Sequence, residues 1–198
     1  MEEIIRLLHS IRRLSPELEE HLRRILRQFT YRKKELLLKT GDIAGHILFI
    51  QKGLIRSYSM IKGQDVSHWF MKEGDIIISV ESFLWQTLSD EFIQALEECE
   101  CWGITRAELW ETYERFPEFL WHGLLITNIY YTRSIKRERT HRRLRPRDKY
   151  ALMMKADQEL IRRVPNKHMA SYLDVSIRTY ASIRKWFAEK GKTLGRGR

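Results

Sequence analysis

The chain has 198 residues, 43% of them apolar and 31% charged, with a formal net charge of +10. That length and composition suit one large domain or two small ones around packed cores. They exclude a membrane span, because apolar runs such as those around Ile76–Ile78 and Leu124–Ile126 are far too short to cross a bilayer. Residues 1–15 alternate charges with aliphatics and lack the small-residue cleavage site of a signal peptide, so a soluble, cytoplasmic protein is expected. The two cysteines, Cys99 and Cys101, are too few for a disulfide framework or a four-cysteine metal site, and their spacing makes them same-face neighbours on a strand.

In chain order, residues 2–14 and 16–28 read as two short helices. Ile4, Leu7, Leu8 and Ile11 recur at helical spacing, and Ser15-Pro16 is a sound start for the second helix. From about residue 29 to 105 the pattern changes to short strands: Glu35–Leu38, Ile47–Ile50, Leu54–Tyr58, Val66–Phe70 and Phe92–Leu96. Gly41-Asp42, Lys52-Gly53, Lys62-Gly63 and Gly74-Asp75 punctuate them, and many short strands between tight turns predict a small β-barrel or jelly roll.

Helical spacing returns at Arg106. Pro117 opens a run that Pro146 closes, roughly 43 Å long if fully helical. Leu120, Leu124, Thr127, Tyr131 and Ile135 trace a repeat of about 3.5 residues along one face, the pattern of a helix–helix seam. Trp121, Leu125, Ile126 and Ile129 widen that stripe until it needs cover on more than one side. A second copy of the chain would supply it, and burial wholly within one chain is the competing reading. Arg133 to Arg147 holds Arg or Lys at eight positions and reads as a solvated end.

The charge is unevenly distributed. Residues 1–105 carry 14 basic and 16 acidic side chains, whereas residues 106–198 carry 22 and 10, a surplus of +12. A basic half joined to a near-neutral half predicts a polyanionic partner for the C-terminal half. Within it, Val164 to Lys185 is the informative stretch. Pro165 starts a helix whose buried face is Met169, Ala170 and Leu173. Asp174 sits where the chain turns sharply and tolerates a left-handed backbone. Val175 is an apolar plug and Ser176 an N-cap. The next helix packs through Tyr180 and Ile183, leaving Ile177, Arg178, Ser182 and Lys185 to point outward. Two helices joined by so short a turn, with a basic outer face, suit a reader of the DNA major groove. The tail Gly195–Arg198 reads as disordered.

These residues resemble a known family. Ala170-x-x-x-Asp174-Val175-Ser176-x-x-Thr179-Tyr180-x-x-Ile183-Arg184 is similar to the helix-turn-helix of the catabolite-activator/FNR (Crp/Fnr) regulators, and Leu144–Tyr150 resembles the segment after their dimer helix. Phe70-x-x-x-Gly74-Asp75, Glu81-Ser82-Phe83-Leu84 and Ile93-x-Ala95-Leu96-Glu97 resemble their cyclic-nucleotide-binding β-roll. The resemblance implies an α+β chain in three parts. These are a jelly-roll-like double-stranded β-helix sensor over residues 1–116, a long dimerisation helix over 117–146 and a helix-turn-helix domain over 147–198. It implies a homodimeric transcription regulator of double-stranded DNA, with its seam at Leu120, Leu124, Thr127 and Tyr131 and RNA polymerase as a candidate partner. By position, base reading falls on Ile177, Arg178 and Ser182, and phosphate contact on Lys167, Ser176 and Thr179, with Lys185 on the same outer face. Two departures stand out: Asp174 replaces the family's usual glycine, and Thr179–Ser182 lacks its usual arginine. Of the base-reading places only Arg178 has the planar fork suited to guanine.

The sensor half departs further. The family's nucleotide cassette has a Gly-Glu pair and a phosphate-binding arginine. Here Val80-Glu81 stands for the pair, and Ser89, Asp90 or Glu91 for the arginine. No Lys or Arg occurs from Glu73 to Thr105, a span with eight carboxylates. Cyclic AMP is therefore not expected as effector, because its phosphate would be desolvated beside like charges. Glu81, Ser82 and Ser89 are the candidate pocket residues for an unidentified small molecule, and a distant arginine folding into the pocket, for example Arg56, is the competing reading. A cupin-like metalloenzyme is the alternative for a β-roll, but the seven histidines include no His-x-His pair and no pair four apart, so no metal, cofactor or enzymatic activity is expected. A third reading is a ligand-sensing or protein-interaction module without DNA binding.

Overall fold

The structure, a computed structural model, describes residues 1–195, with side chains to residue 189. It divides into two compact units, one of residues 1–59 and 69–134, the other of residues 60–68 and 135 onward.

The first unit opens with α1 (Glu2–Ile11) and α2 (Pro16–Ile25). Ser15 caps α2, its hydroxyl accepting from the Leu18 N–H at 3.4 Å, and Pro16 fills the first helical position, where its missing N–H costs nothing. Among the described residues two four-stranded antiparallel sheets follow. One has the order β1 (Arg27–Tyr31), β8 (Cys99–Thr105), β3 (His46–Lys52), β6 (Ile76–Ile77). The other has β2 (Leu36–Leu38), β7 (Phe92–Ala95), β4 (Ile55–Ile61), β5 (Gln64–Met71). Leu48, Ile50, Ile55, Ile77, Phe83, Ile93, Ala95, Cys99, Cys101 and Ile104 fill the core. The two cysteines do face one way, both fully buried. Burial pushes the Cys101 thiol up to about 12, so it is an inert core group.

Two strands escape the sequence reading, and a third is anticipated only at Cys99 and Cys101. β1 takes the residues expected to end the second helix, because Arg27–Tyr31 pairs with Gly103–Cys99. β6 is two residues long. β8 is interrupted by Gly103, which weakens a strand signal. The glycine is required there, since a Cβ would lie 2.5 Å from Leu48 Cδ2 and 2.8 Å from the Ile47 carbonyl.

After α3 (Val80–Trp85) and the second sheet, α4 (Arg106–Arg115) begins with a reciprocal cap. Thr105 Oγ1 accepts from the Glu108 N–H, and Glu108 Oε2 accepts from the Thr105 N–H. The long helix differs from expectation at both ends. Pro117–Phe119 form a 3-10 turn, α5 runs Leu120–Arg143, and Pro146 opens a further helix instead of merely ending this one. α5 meets the sheets through Tyr130, whose hydroxyl accepts from the Ile76 N–H at 2.6 Å, and through Arg133, which donates to Asp75 Oδ1 at 2.7 Å.

The second unit has the end of α5, then α6 (Pro146–Ala156), α7 (Gln158–Arg163), α8 (Asn166–Tyr172) and α9 (Ile177–Gly195). Tyr150, Ile161, Val164, Met169, Ala170, Leu173, Tyr180 and Ile183 are its buried centre. The turn at residues 60–68 belongs here too, tied to α8 by Ser171, which donates to the Asp65 carbonyl and accepts from the Ser67 N–H. Arg196–Arg198 of the tail lie outside the described residues.

Candidate nucleic-acid interface and sensor interior

α8 and α9 are joined by a turn with Asp174 at φ 58°, the left-handed conformation that a short polar side chain tolerates. The turn is closed by the Asp174 N–H donating to the Ser171 carbonyl and the Val175 N–H to the Ala170 carbonyl. Ala170 is buried in this corner, and Val175 is half-buried beside it. Ser176 then caps α9: its hydroxyl accepts from the Thr179 N–H at 3.0 Å and lies 2.9 Å from Thr179 Oγ1. Tyr180 and Ile183 turn inward, Tyr180 against Tyr150 at 5.9 Å, and burial pushes its phenol up to about 12.

Everything left outside α9 is accessible. Ile177, Arg178, Thr179, Ser182 and Lys185 are all exposed, as is Lys167 on α8. The sequence-predicted residues are thus accessible, Ile177, Arg178, Thr179, Ser182 and Lys185 within the first nine residues of α9 and Lys167 in the first turn of α8. Arg178 forms no ion pair among the described residues, whereas Lys185 lies 3.9 Å from Glu189. Of the Ser176 and Thr179 hydroxyls one donates to the other, which leaves one O–H free to donate outward. The prediction missed Arg184, also exposed, which donates to Asn166 Oδ1 at 2.7 Å and leans on the Tyr180 ring. It stands seven residues after Ile177, so helical spacing alone could have found it.

On α5, Leu120, Leu124, Thr127 and Tyr131 are all exposed, the three large side chains by 50–64%. Trp121, Leu125 and Ile129 extend the apolar surface. A shallow groove lined by Tyr113, Pro117, Leu120, Trp121, Gly123 and Leu124 runs along its start. Gly123 of α5 lies under the Tyr113 side chain of α4, and a Cβ there would sit 2.2 Å from the Tyr113 hydroxyl.

The predicted pocket residues separate. Glu81 is exposed on α3. Ser82 is buried and fully used, accepting from the Ala44 N–H and donating to the Thr87 carbonyl. Ser89 is buried, and its hydroxyl lies 3.4 Å from that of Ser79. Ser79 precedes α3 without capping it, and α3 is only six residues long. Glu91 completes the group, half-buried, with its carboxyl facing the Ser79 and Ser57 hydroxyls. Burial, and secondarily Asp90, hold that carboxyl above the usual carboxylate range. Ser79 and Ser57 were not singled out from sequence, and Glu91 was named only as one of three residues in the place of the family's arginine. Ser57 lies on a different strand, and nothing in the spacing links it to residues 79–91. Arg56 is 2% exposed, but it points to the other side of β4 from Ser57, donating from Nε and Nη2 to Gln94 Oε1 and lying over the Tyr58 ring. Among the described residues no three metal-binding side chains gather, and no helix is long and apolar enough to cross a membrane.

The sequence profile of the cyclic nucleotide-binding domain family matches residues 28–116. No curated protein matches the sequence. Solved structures do match. The c-di-GMP-responsive global regulator CLP of Xanthomonas campestris shares 11% identity, with 89% of this chain and 93% of that one covered at a TM-score of 0.70. FixK2 of Bradyrhizobium japonicum shares 14%, with 84% and 86% covered at 0.74. A protein of Eubacterium rectale assigned to the Crp/Fnr family of transcriptional regulators shares 11%, with 90% and 85% covered at 0.68.

Proposed function

Residues 28–116 belong to the cyclic nucleotide-binding domain family, in a chain with the fold of the Crp/Fnr transcriptional regulators; from that premise we propose that the protein is a cytoplasmic, homodimeric DNA-binding regulator. The observation that carries the reading is the outer face of α9. Its first turns are capped by Ser176, braced by Tyr180 and Ile183, and exposed at Ile177, Arg178, Ser182 and Lys185. A helix N-terminus with that face, on the half of the chain that carries the +12 surplus, suits insertion into a major groove. Arg178 would read guanine, Ile177 a thymine methyl and Ser182 a further base edge. Lys167, Ser176 and Thr179 would hold phosphates. Residues 147–198 act as the reader, 117–146 as the dimerisation helix and 1–116 as the sensor.

The dimer follows from the exposed Leu120, Leu124, Thr127 and Tyr131 seam, which a two-fold copy of itself would cover. RNA polymerase is the proposed further partner of the DNA-bound dimer. The sensor's interior residues suit an effector other than cyclic AMP. Selection and sequencing of DNA fragments bound by the purified protein tests the whole reading. It should return two-fold-related sites with half-site centres roughly 34 Å apart and binding that weakens steeply with salt. Absence of enriched sites, with binding indifferent to salt, refutes DNA recognition.

A further inference from the structure

We infer that the exposed cations at the junction of α5 and α6, Lys136, Arg139, Arg142, Arg143, Arg145 and Arg147, form a second DNA-contacting surface, separate from the reading face of α9, that binds backbone phosphates without selecting sequence.

The first support is dense charge with little compensation. All six side chains are exposed, and residues 136–147 contain one acid, Glu138. Glu138 pairs with Arg142 at 2.7 Å. Lys136, Arg139, Arg143 and Arg145 form no ion pair among the described residues. A solvated helix end is the simpler account, but a solvated helix face normally intersperses the two signs, with opposite charges three or four residues apart. Here Lys136 and Arg139, Arg139 and Arg142, and Arg139 and Arg143 set like charges at that spacing, on one side of α5. Their mutual repulsion works against the free helix and is relieved when a polyanion lies along it.

The second support is that the helix dipoles do not account for the pattern. A cation is favoured in the last turn of a helix, and in α5 that covers only Arg142 and Arg143 of the six. Lys136 and Arg139 stand before that turn. Arg145 and Arg147 are the N-cap and second residue of α6, where the dipole disfavours a cation.

The third support is chemistry and attachment. Five of the six are arginines, and a guanidinium fork matches two phosphate oxygens where an ammonium offers only a point charge. The segment that carries them is anchored to the proposed reading pair. His141, half-buried on the inward side of α5, meets the Tyr172 ring of α8 edge-on at 5.1 Å. Arg147 lies over the Trp186 ring of α9 at 5.4 Å.

The surface rests on the DNA-binding reading of α9 and extends it. The test is a salt series of binding isotherms on selected and scrambled DNA, for the wild-type protein and for the triple variant Lys136→Gln, Arg139→Gln, Arg143→Gln. Glutamine removes the charge and forms helix about as well as Lys or Arg. A thermal melt and sedimentation check fold and assembly. Losing three phosphate contacts should reduce the slope of log affinity against log salt by about two to three and weaken binding at least about tenfold at near-physiological salt. The ratio of affinities for selected over scrambled DNA should stay as in the wild type. Arg139→Lys with Arg143→Lys, which keep the charge, should hold the wild-type slope. A wild type that binds the selected DNA, with a slope unchanged in the triple variant, overturns this inference and leaves the α9 reading standing. A reduced slope with altered preference makes the surface part of base reading and overturns its separate role. A wild type with no salt-dependent DNA binding overturns both.

Discussion

Arg56 on β4 and Gln94 on β7 are direct cross-strand partners, and the guanidinium gives two hydrogen bonds, at 3.1 and 2.9 Å, to the one amide oxygen. The basic side chain best placed to enter the roll is thereby committed to the other face of its sheet. We expect no saturable binding of cyclic AMP or cyclic GMP in calorimetric titration. Micromolar binding of either would contradict this, and its loss on Arg56→Ala would name the residue responsible. Arg56→Ala should itself cost about 2–3 kcal/mol by leaving the Gln94 amide oxygen without its guanidinium donor and removing the cation from the Tyr58 ring.

Arg178 and Lys167 should fail differently. Arg178→Ala is expected to cost about 1–3 kcal/mol of DNA affinity and to relax preference at one base pair. Lys167→Ala should weaken all sequences alike and flatten the salt dependence by about one counterion. Binding isotherms over a salt series, on selected and scrambled DNA, measure both. An Arg178→Ala protein with unchanged affinity and preference would show that α9 is not the reading element.

Leu124→Glu should break the dimer. It places a charge among the apolar Leu120 and Tyr131 of the proposed seam, where burial against a second copy would desolvate it. Sedimentation at micromolar concentration should give a dimer for the wild type and monomer or aggregate for the variant. A wild-type monomer refutes the seam.

Glu91 sets a pH dependence of stability. Its folded-state pKa lies above the ordinary value, chiefly through burial, so the folded protein binds more protons than the unfolded chain between the two values. Stability from this group is full below the ordinary carboxylate range and is lost as pH rises through the raised value. Glu91→Gln should therefore melt higher than wild type at neutral pH and at the same temperature near pH 4. Parallel melting curves across that range would show that Glu91 is not the titrating group.

Gly123→Ala tests the approach of α5 to α4. The Tyr113 hydroxyl would lie 2.2 Å from the new methyl, and Tyr113 is held by Trp110 and Phe119 at ring distances of 6.0 and 5.7 Å. Overpacking there should cost about 1–3 kcal/mol in chemical denaturation, although alanine is the better helix former. A variant as stable as wild type would mean that Tyr113 swings aside freely.

Much of the architecture is legible where local signals and tertiary packing agree. The capped start of α2, the left-handed Asp174 and the buried Tyr180 and Ile183 are all written in short-range pattern, and the structure has each of them. β1 and β6 are not, because their formation depends on partners far along the chain: Arg27–Tyr31 becomes a strand only by pairing with residues 99–103. The interior of the β-roll is hidden for the same reason. Ser57, Ser79 and Glu91 come from β4, the start of α3 and the start of β7, and no spacing rule joins them. Glu81, chosen by its place in a motif, is instead on the exposed side of a six-residue helix.

The bond from Arg184 to Asn166 has a thermodynamic consequence. A long cationic side chain normally surrenders much rotational freedom when it is immobilised, and that loss opposes association. Arg184 has surrendered part of it already, spending one of its five donors on Asn166 and resting against Tyr180, with the other donors still to offer. Whatever this guanidinium touches on docking is met at a smaller entropic penalty than a freely rotating Arg or Lys would incur. Replacing Asn166 with alanine would free the side chain and turn part of that preorganisation back into disorder, a change that should show as a less favourable binding entropy at nearly constant contact enthalpy.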